Sequence, residues 1–260
     1  MDAILCELSC PSGHTVVARS EIGGRPSQQD RVFIRSEDTR LFAALCDGMG
    51  GTERGGMASQ RAICVLQDMF SDKETYDLAF KRPVEFLQLA LVHSDRTISG
   101  DAGLRGSGTT LTTMLLDGHW AYWASVGDSR MYILRGSEMI QATRDHNYHL
   151  YLDELRAQGR IGRKRYEDEI ARGRALISYI GIGKLRLLDL AQRPLLVHSG
   201  DLFLLTSDGL TGLLPDAEIQ RVLLSDSPLE QRADRLMQTA LSRGKDISMD
   251  NTTFVLIQIT

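Results

Sequence analysis

Residues 41–51, which read LFAALCDGMGG, decide the fold. Six apolar residues in a row, 41–46, are typical of a strand that is buried on both of its faces. An aspartate and a glycine-rich turn follow directly. A carboxylate at the end of a strand can point into a cleft, and the glycines beside it leave room for a ligand. The stretch therefore predicts a central strand that carries Asp47 to a binding site.

Strand and helix patterns alternate in blocks around this stretch. Apolar residues at helical spacing follow it at 53–70 and 83–98. Gly118 and Gly136 separate later strand patterns, which favours an antiparallel meander. The blocks predict two packed sheets with helices outside them. The predicted strands are 14–19, 31–35, 41–46, 109–116, 119–126, 131–134, 139–142, 185–190, 201–206 and 252–259, with partial helix over 147–173 and a last helix over 229–241 that Ser227 caps.

Length and composition fit one globular domain. The chain has 260 residues, of which 42 % are apolar and 25 % are charged, enough for a full core. No linker, repeat or low-complexity tract stands out, so residues 1–260 are predicted to form a single domain. The formal net charge of −4 argues against a nucleic-acid-binding protein, which usually carries a basic surplus.

The chain is expected to be soluble and cytoplasmic. Its first residues lack the basic and apolar segments of a signal peptide, and no run approaches the roughly 18 apolar residues of a membrane span. The cysteines, Cys6, Cys10, Cys46 and Cys64, have neither the spacing of a zinc ribbon nor the density of a disulfide framework. We therefore expect reduced, mostly buried thiols.

Four aspartates share one local setting. Asp47 and Asp208 each follow a predicted strand and precede a glycine, Asp128 lies between two strands, and Asp250 comes just before the last strand. Read singly, each is more simply explained as a turn or cap residue. Carboxylates that met at one sheet edge would repel one another and would need hard cations between them. Oxygen ligands of this kind select Mg²⁺ or Mn²⁺ over zinc.

Three other kinds of binding loop are excluded. The acidic residues lack the regular alternation of an EF-hand calcium loop. No Gly-Lys-Ser/Thr follows the glycines, as a Walker phosphate-binding loop requires, and the glycines lack the spacing of a dinucleotide fingerprint.

Seven short motifs follow one another along the chain. They are 24–30 GRPSQQD, 47–51 DGMGG, 108–110 GTT, 127–130 GDSR, 143–146 TRDH, 207–210 SDGL and 250–251 DN. In this order they resemble the metal-dependent Ser/Thr protein phosphatases of the PPM type (the protein phosphatase 2C family), in their short bacterial form, over roughly 15–259. The resemblance implies an α+β fold of four αββα layers, in which two packed antiparallel sheets are flanked by helices.

The resemblance also implies a metal-ligand set. Asp47 would bridge two metal ions, with the Gly48 carbonyl as a further ligand. Asp208 and Asp250 would hold the first ion, and Asp30 would support the second, directly or through water. The cofactors implied are two Mn²⁺ or Mg²⁺ ions, with a possible third.

Two further residues receive roles by the same resemblance. Arg25 would grip the substrate phosphate, which suits a guanidinium because it can bind two phosphate oxygens at once. Asp128, together with Asp208, would contribute to the third and weaker metal site. The pair of metals would activate a water molecule near neutral pH for in-line attack on phosphorus. Arg25 and Asp47 are thus the predicted catalytic residues.

The implied function is the hydrolysis of phosphoserine and phosphothreonine in proteins, opposing a Ser/Thr kinase of the same cell. The substrates would be phosphorylated proteins, with no nucleic-acid or membrane partner, and the chain is expected to be a monomer. Two alternatives remain open at this point. One is a phosphatase-like binding module without turnover, and the other is a phosphatase for a small phosphorylated metabolite.

Several positions depart from the family pattern or have a plain structural explanation. Gln29 stands where many members have Glu, and Met49 where many eukaryotic members place a His, so water would have to protonate the leaving group. His146 is expected to hold a loop. The basic stretch 156–174 falls where the family has a mobile flap and would there be a docking surface for phosphorylated protein. A solvated helical face is the simpler explanation, because acidic residues are interleaved with the basic ones. The aromatic cluster from Trp120 to Trp123 is expected in the core.

Overall fold

Two antiparallel β-sheets lie face to face between two layers of helices. The computed structural model describes residues 6–9, for which only the backbone is considered, and residues 14–51, 53–245 and 249–260. The strands are β1 (Cys6–Ser9), β2 (Thr15–Glu21), β3 (Arg31–Glu37), β4 (Arg40–Cys46), β5 (Gly48–Met49), β6 (Gly108–Thr109), β7 (Leu111–Asp117), β8 (Trp120–Val126), β9 (Arg130–Arg135), β10 (Glu138–Gln141), β11 (Asp189–Leu190), β12 (Leu195–Leu196), β13 (Leu202–Thr206) and β14 (Thr252–Gln258). The helices are α1 (Arg54–Ser71), α2 (Lys73–Lys81), α3 (Pro83–Ser99), α4 (Tyr148–Ala157), α5 (Arg163–Glu169), α6 (Asp208–Thr211), α7 (Asp216–Leu223) and α8 (Leu229–Gly244), with 3-10 turns at Ala102–Leu104 and Ile170–Arg172.

The first sheet has the strand order β1-β2-β14-β13-β9-β10 and the second has the order β11-β8-β7-β4-β3, in which β12 also pairs with β8. Strands β5 and β6 form a separate two-stranded ribbon. Apolar clusters fill the space between the sheets and the space between each sheet and its helices. The α+β fold of four αββα layers predicted from the sequence is therefore confirmed.

The position of strand β4 in the fold explains why its sequence is apolar without interruption. Side chains alternate between the two faces of a strand. Leu41, Ala43 and Leu45 contribute to the core between the sheets, whereas Phe42 and Ala44 contribute to the core under α1 and α3. A strand at this place in the fold has no face in solvent, which produces the pattern seen at 41–46.

The first sheet is covered in the same way on its outer face. Leu204 and Phe254, from β13 and β14, pack against α7 and α8, while Phe203 and Val255 point into the core between the sheets. These neighbouring strands pair in register, with Thr206 opposite Phe254. Their ends that carry 207–208 and 250–251 consequently lie side by side.

Several sequence predictions were wrong in detail. The strand expected at 185–190 is reduced to β11. Helices α2 and α7 were not predicted, because each is short. Ser227 does not cap α8, since Pro228 occupies the cap position and no side-chain cap bond is present. Trp120 is not in the core, for it lies 45 % exposed at the start of β8, whereas Trp123 packs against the core between the sheets.

The remaining predictions outside the site have mixed outcomes. Residues 147–173 are helical in part, as predicted. Cys46 is a buried free thiol and Cys64 is a half-buried one, whereas the prediction for Cys6 and Cys10 falls outside the described side chains. No helix in the described part of the chain is both long and apolar enough to cross a membrane.

Candidate active site

Asp47 is fixed by its backbone at the end of β4. Its N–H donates to Thr110 Oγ1 at 2.9 Å, and its carbonyl accepts from the Thr110 N–H at 2.8 Å. The Thr109 hydroxyl donates to the same carbonyl at 2.9 Å. Thr110 Oγ1 also pairs with Ser129 Oγ at 2.7 Å. Asp47 is thus held against the start of β7 and the turn before β9, with its side chain left for other partners.

Two glycines allow the chain segments of the site to approach closely. A Cβ atom on Gly48 would collide with the carbonyl oxygen of Gly55, in the first turn of α1. A Cβ atom on Gly209 would collide with the carbonyl oxygen of Asn251. Only glycine fits at such contacts. The Asp-Gly pairs at 47–48 and 208–209 therefore bring two carboxylates and the 250–251 segment to one place.

Asp208 follows β13 and Asp250 precedes β14, and these two strands pair with each other. The Ser207 N–H donates to the Thr253 carbonyl at 2.9 Å, and the Thr253 N–H donates to Ser207 Oγ at 3.0 Å. These bonds continue the β13–β14 ladder up to the site. Asp208 then begins the short helix α6, and Asp250 lies two residues before β14.

Asp30 lies underneath the other aspartates and is only 1 % exposed. Ser207 Oγ donates to its Oδ2 at 2.9 Å, but Oδ1 is buried without a hydrogen-bond partner among the described residues. Burial raises the pKa of Asp30 to about 7, and the charges of Asp208 and Asp250 add to the increase. A buried carboxylate oxygen without a donor is a costly arrangement unless a cation or water satisfies it.

The other carboxylates influence each other in the same direction. Burial raises the pKa of Asp47 well above its usual value, and the charges of Asp30, Asp208 and Asp128 raise it further. Burial followed by the charge of Asp208 raises the pKa of Asp128 to about 7. The pKa of Asp208 is also raised, by burial and by Asp250. A group of carboxylates that resist ionisation together is one that a divalent cation would stabilise.

The predicted site residues, with one exception, line a single cleft of about 450 Å³. The exception is Asp30, which lies below the floor of the cleft rather than on its wall. Gln29 and Met49, which depart from the family pattern, line the cleft as well. The predicted residues on the wall are Arg25, Asp47, Gly48, Asp128, Asp208 and Asp250.

Arg25 contacts one of the predicted metal ligands. Its Nη2 donates to Asp250 Oδ2 at 2.6 Å, and both side chains are about half exposed. As the side chains stand in the described ranges, no three acidic, histidine or cysteine residues form a ready metal-ligand group. One oxygen of the Asp250 carboxylate is thus paired with Arg25 in this structure.

The sequence did not single out every residue of the cleft. Arg174, Ala175 and Leu176 line it from the end of the segment that carries α4 and α5. Arg174 was included only within a basic stretch. Within that stretch Arg163 pairs with Glu167 at 2.7 Å, one helical turn apart, as on a solvated helical face. Only the position of Arg174 after α5 distinguishes it from the other basic residues, and no local pattern marks that position.

His146 is completely buried beside the turn that carries Asp128. The Gly127 N–H donates to His146 Nδ1 at 3.2 Å, and the His146 N–H donates to the Gly127 carbonyl at 2.9 Å. Its Nε2 lies 3.5 Å from Asp189 Oδ1. These contacts tie the turn at 127–128 to the segment leading into α4, which fits the expected structural role.

Three kinds of comparison with known proteins point to one family. The family model described as Protein phosphatase 2C matches residues 19–249. The serine/threonine phosphatase stp of Listeria innocua is 31 % identical over 230 residues, which cover 86 % of this chain and 87 % of that protein. A serine/threonine phosphatase structure from S. agalactiae matches with a TM-score of 0.80 and 26 % identity, covering 95 % of this chain and 100 % of that one. The catalytic domain of the serine threonine protein phosphatase PstP, solved in complex with two manganese ions, matches with a TM-score of 0.72 and 29 % identity, covering 95 % and 99 % of the two chains.

Proposed function

Because the chain belongs to the protein phosphatase 2C family, we propose that its acidic cleft is the site at which it hydrolyses phosphoserine and phosphothreonine in proteins. The activity is that of a metal-dependent protein-serine/threonine phosphatase. The observation that supports this site most directly is the convergence of Asp47, Asp208 and Asp250, from β4 and the β13–β14 pair, in one cleft with an arginine.

The residues of the cleft fit a divalent metal centre. Carboxylate and carbonyl oxygens are the ligands that Mg²⁺ and Mn²⁺ prefer. Asp47 and the Gly48 carbonyl, with Asp208 and Asp250, would hold the metals, and the unpartnered Oδ1 of Asp30 would support one of them from below. Bound in pairs, such ions supply an activated water and neutralise charge on a phosphoryl group.

Arg25 would bind and orient the substrate phosphate. The Arg25 guanidinium now contacts Asp250 through Nη2, and a metal held by Asp250 would compete for that carboxylate; a guanidinium can donate two parallel hydrogen bonds to phosphate oxygens. Met49 lines the same cleft but has no proton to donate, so a water would have to protonate the leaving oxygen.

Asp128 supports a possible third and weaker ion. It lines a small pocket with Asp208 and Asp145, and Arg25 does not line this pocket. Its raised pKa, about 7, reflects burial and the neighbouring carboxylates, and a cation there would remove both penalties.

The wider setting follows from the same function. Phosphorylated proteins are the substrates, and a Ser/Thr kinase in the same cell is the implied opposing enzyme. We further propose that residues 1–260 act as one catalytic domain, as a cytoplasmic monomer. Neither an inactive binding module nor a metabolite phosphatase is favoured, since relatives are named protein phosphatases.

The test is a phosphatase assay with phosphoserine, phosphothreonine and phosphotyrosine peptides during a Mn²⁺ titration. We expect turnover of the first two peptides that rises with metal and stops in excess chelator. Full turnover in chelator would contradict the metal mechanism, and metal binding without turnover of any peptide would identify a binding module.

A further inference from the structure

We propose that a groove beside the catalytic cleft binds acidic residues that flank the phosphoresidue of the protein substrate. This inference rests on the proposed function, because it names a property of the substrate of that same site. The groove lies between residues 27–31 and one face of α1, and its volume is about 520 Å³. Ser27 lines both the groove and the cleft, so a peptide that places its phosphoresidue in the cleft can continue directly into the groove.

The groove presents two guanidinium groups for which the described residues supply no carboxylate partner. Arg31 donates to neutral acceptors, namely Gln60 Oε1 at 3.0 Å and the backbone carbonyls of Gln28 and Asp30 at 2.8 Å each. These bonds fix the orientation of the guanidinium without neutralising its charge. Arg61 lies beside it on the exposed face of α1 and forms no ion pair within the described ranges.

The other lining residues favour a peptide rather than a small anion. Met57 is 56 % exposed on the same face of α1, and an exposed flexible apolar side chain beside two cations suits a segment with mixed acidic and apolar residues. Glu53 is the one carboxylate among the described lining residues, and it lies at the start of α1. Two cations are too few for an anionic membrane surface, whose recognition takes clusters of about four to eight.

The chemistry of the groove therefore indicates aspartate or glutamate close to the phosphoresidue. Arg61 can bind a carboxylate through two parallel hydrogen bonds, whereas Arg31, whose Nε and Nη1 groups already donate, offers its Nη2 group. Charges at the edge of an interface chiefly affect encounter and specificity. The groove would raise the affinity for acidic protein substrates and would leave the chemistry in the cleft unchanged.

The experiment compares Arg61→Glu with the wild-type chain on phosphothreonine peptides that carry glutamate, alanine or lysine on either side of the phosphoresidue. We expect the wild type to have the highest kcat/KM for a peptide with glutamates on one side. Charge reversal at Arg61 should lower that value about tenfold, since reversal replaces an attraction by a repulsion. It should leave the alanine peptide and a small aryl phosphate unaffected. Arg193→Glu, which reverses an exposed arginine between β11 and β12 at the opposite edge of the sheet, is the matched control.

Each other outcome overturns the inference. Equal kcat/KM for acidic and neutral peptides in the wild type, or equal losses in both variants, would remove the groove from substrate recognition. Arg61→Glu and wild-type protein should also be compared by light scattering, because a dimer that only the wild type forms would assign the groove to self-association. Aryl phosphate turnover with Mn²⁺ tests the proposed function separately. If the wild-type protein does not turn over an aryl phosphate, the proposed catalytic site itself is wrong, and not merely the role of the groove.

Discussion

At the scale of single residues, the site separates the groups that hold the backbone from the groups that carry the chemistry. Thr109 and Thr110 hold the main chain of Asp47 through three hydrogen bonds, none of which involves its carboxylate. The carboxylate faces other acidic groups, which raise its pKa. Replacing that side chain should therefore remove charge and metal affinity while the local backbone remains in place.

Asp47→Asn should abolish most of the activity without unfolding the chain. Substitution of residues that merely orient metal ligands costs roughly 10–100-fold, so loss of a bridging ligand should lower kcat/KM at least about a hundredfold. Isothermal titration with Mn²⁺ should show weaker binding, and circular dichroism should be unchanged. Asp234→Asn, which removes an equivalent charge on the exposed face of α8, is the control. Wild-type metal affinity in Asp47→Asn would remove Asp47 from the metal centre.

Arg25→Ala should raise KM for phosphate esters more than it lowers kcat. A hydrogen bond to a charged group contributes about 1.5–3 kcal/mol, which corresponds to an increase of roughly tenfold or more. Steady-state kinetics on an aryl phosphate measures both constants. Arg25→Lys should recover part of the loss, because it keeps the charge but not the two-pronged geometry. An unchanged KM in Arg25→Ala would exclude contact with the phosphate.

At the scale of elements, the sequence predicted those strands and helices that bury many apolar residues. Strand β4 was predicted because both of its faces are covered, and α1 and α3 were predicted because each buries a long stripe of apolar side chains. Helix α2 was missed since Ala79 is its only buried residue. The strand expected at 185–190 failed because, of these residues, only Asp189 and Leu190 pair with β8.

For the site, ordered motifs gave the aspartates, since each ends or precedes a strand. They did not reveal that Asp30 lies beneath the cleft, because its burial depends on packing against Ser207, 177 residues further along the chain. They did not reveal the position of Arg174 either. Residues that reach the site through tertiary packing leave no local pattern in the sequence.

Helix α3 supports the site through one buried carboxylate. Asp95 Oδ1 accepts from the N–H groups of Gly181 and Gly183, at 2.8 and 3.0 Å. The neighbouring Ile180 exchanges two backbone hydrogen bonds with Thr109, which contacts the Asp47 carbonyl. The Asp95 carboxylate is thus connected to Asp47 first through the segment 180–183 and then through Thr109.

Asp95→Ala should therefore destabilise the fold. It leaves two N–H groups without their acceptor, and an unsatisfied buried group costs about 1–3 kcal/mol. Urea denaturation of metal-free protein should show a decrease of this size in the free energy of unfolding, and a smaller one for Asp95→Asn, which keeps an acceptor oxygen. Asp101→Ala removes the acceptor of the Gly103 N–H at an exposed turn, so it should cost less. Equal decreases in the free energy of unfolding at the two positions would mean that the Asp95 contact stabilises the fold no more than the exposed turn does.

At the scale of the whole molecule, the cleft joins the two sheets. Asp47 directly follows a strand of the second sheet, whereas Asp208 lies just after β13 and Asp250 just before β14, which are paired strands of the first. Asp30 lies between them and is bonded to Ser207 of the first sheet. A metal shared by these carboxylates would cross-link the two halves of the sandwich and relieve their mutual repulsion. Metal binding should therefore stabilise the whole fold and not only the site.

The size of this stabilisation should depend on pH in a defined direction. The pKa values of Asp30 and Asp128 are raised to about 7 in the folded chain, above the ordinary value near 3.9. Between these values the folded state binds more protons than the unfolded state, so the free energy of unfolding of the metal-free protein should fall as the pH rises from about 4 to 7. Metal competes with those protons, and the competition weakens as the pH rises.

We therefore expect Mn²⁺ to raise Tm more at pH 8 than at pH 6. At a metal concentration of about 100 Kd the gain is about 2.7 kcal/mol, or roughly 5–10 °C for a chain of this size. Differential scanning fluorimetry with Mn²⁺ and with chelator at both pH values measures it. Asp30→Asn removes one of the titrating groups and should flatten the pH dependence of the metal-free protein, while Asp234→Asn should not. A metal-induced shift of equal size at pH 6 and pH 8 would mean that these carboxylates do not exchange protons for metal, and the acidic cleft would lose its role as the ligand set.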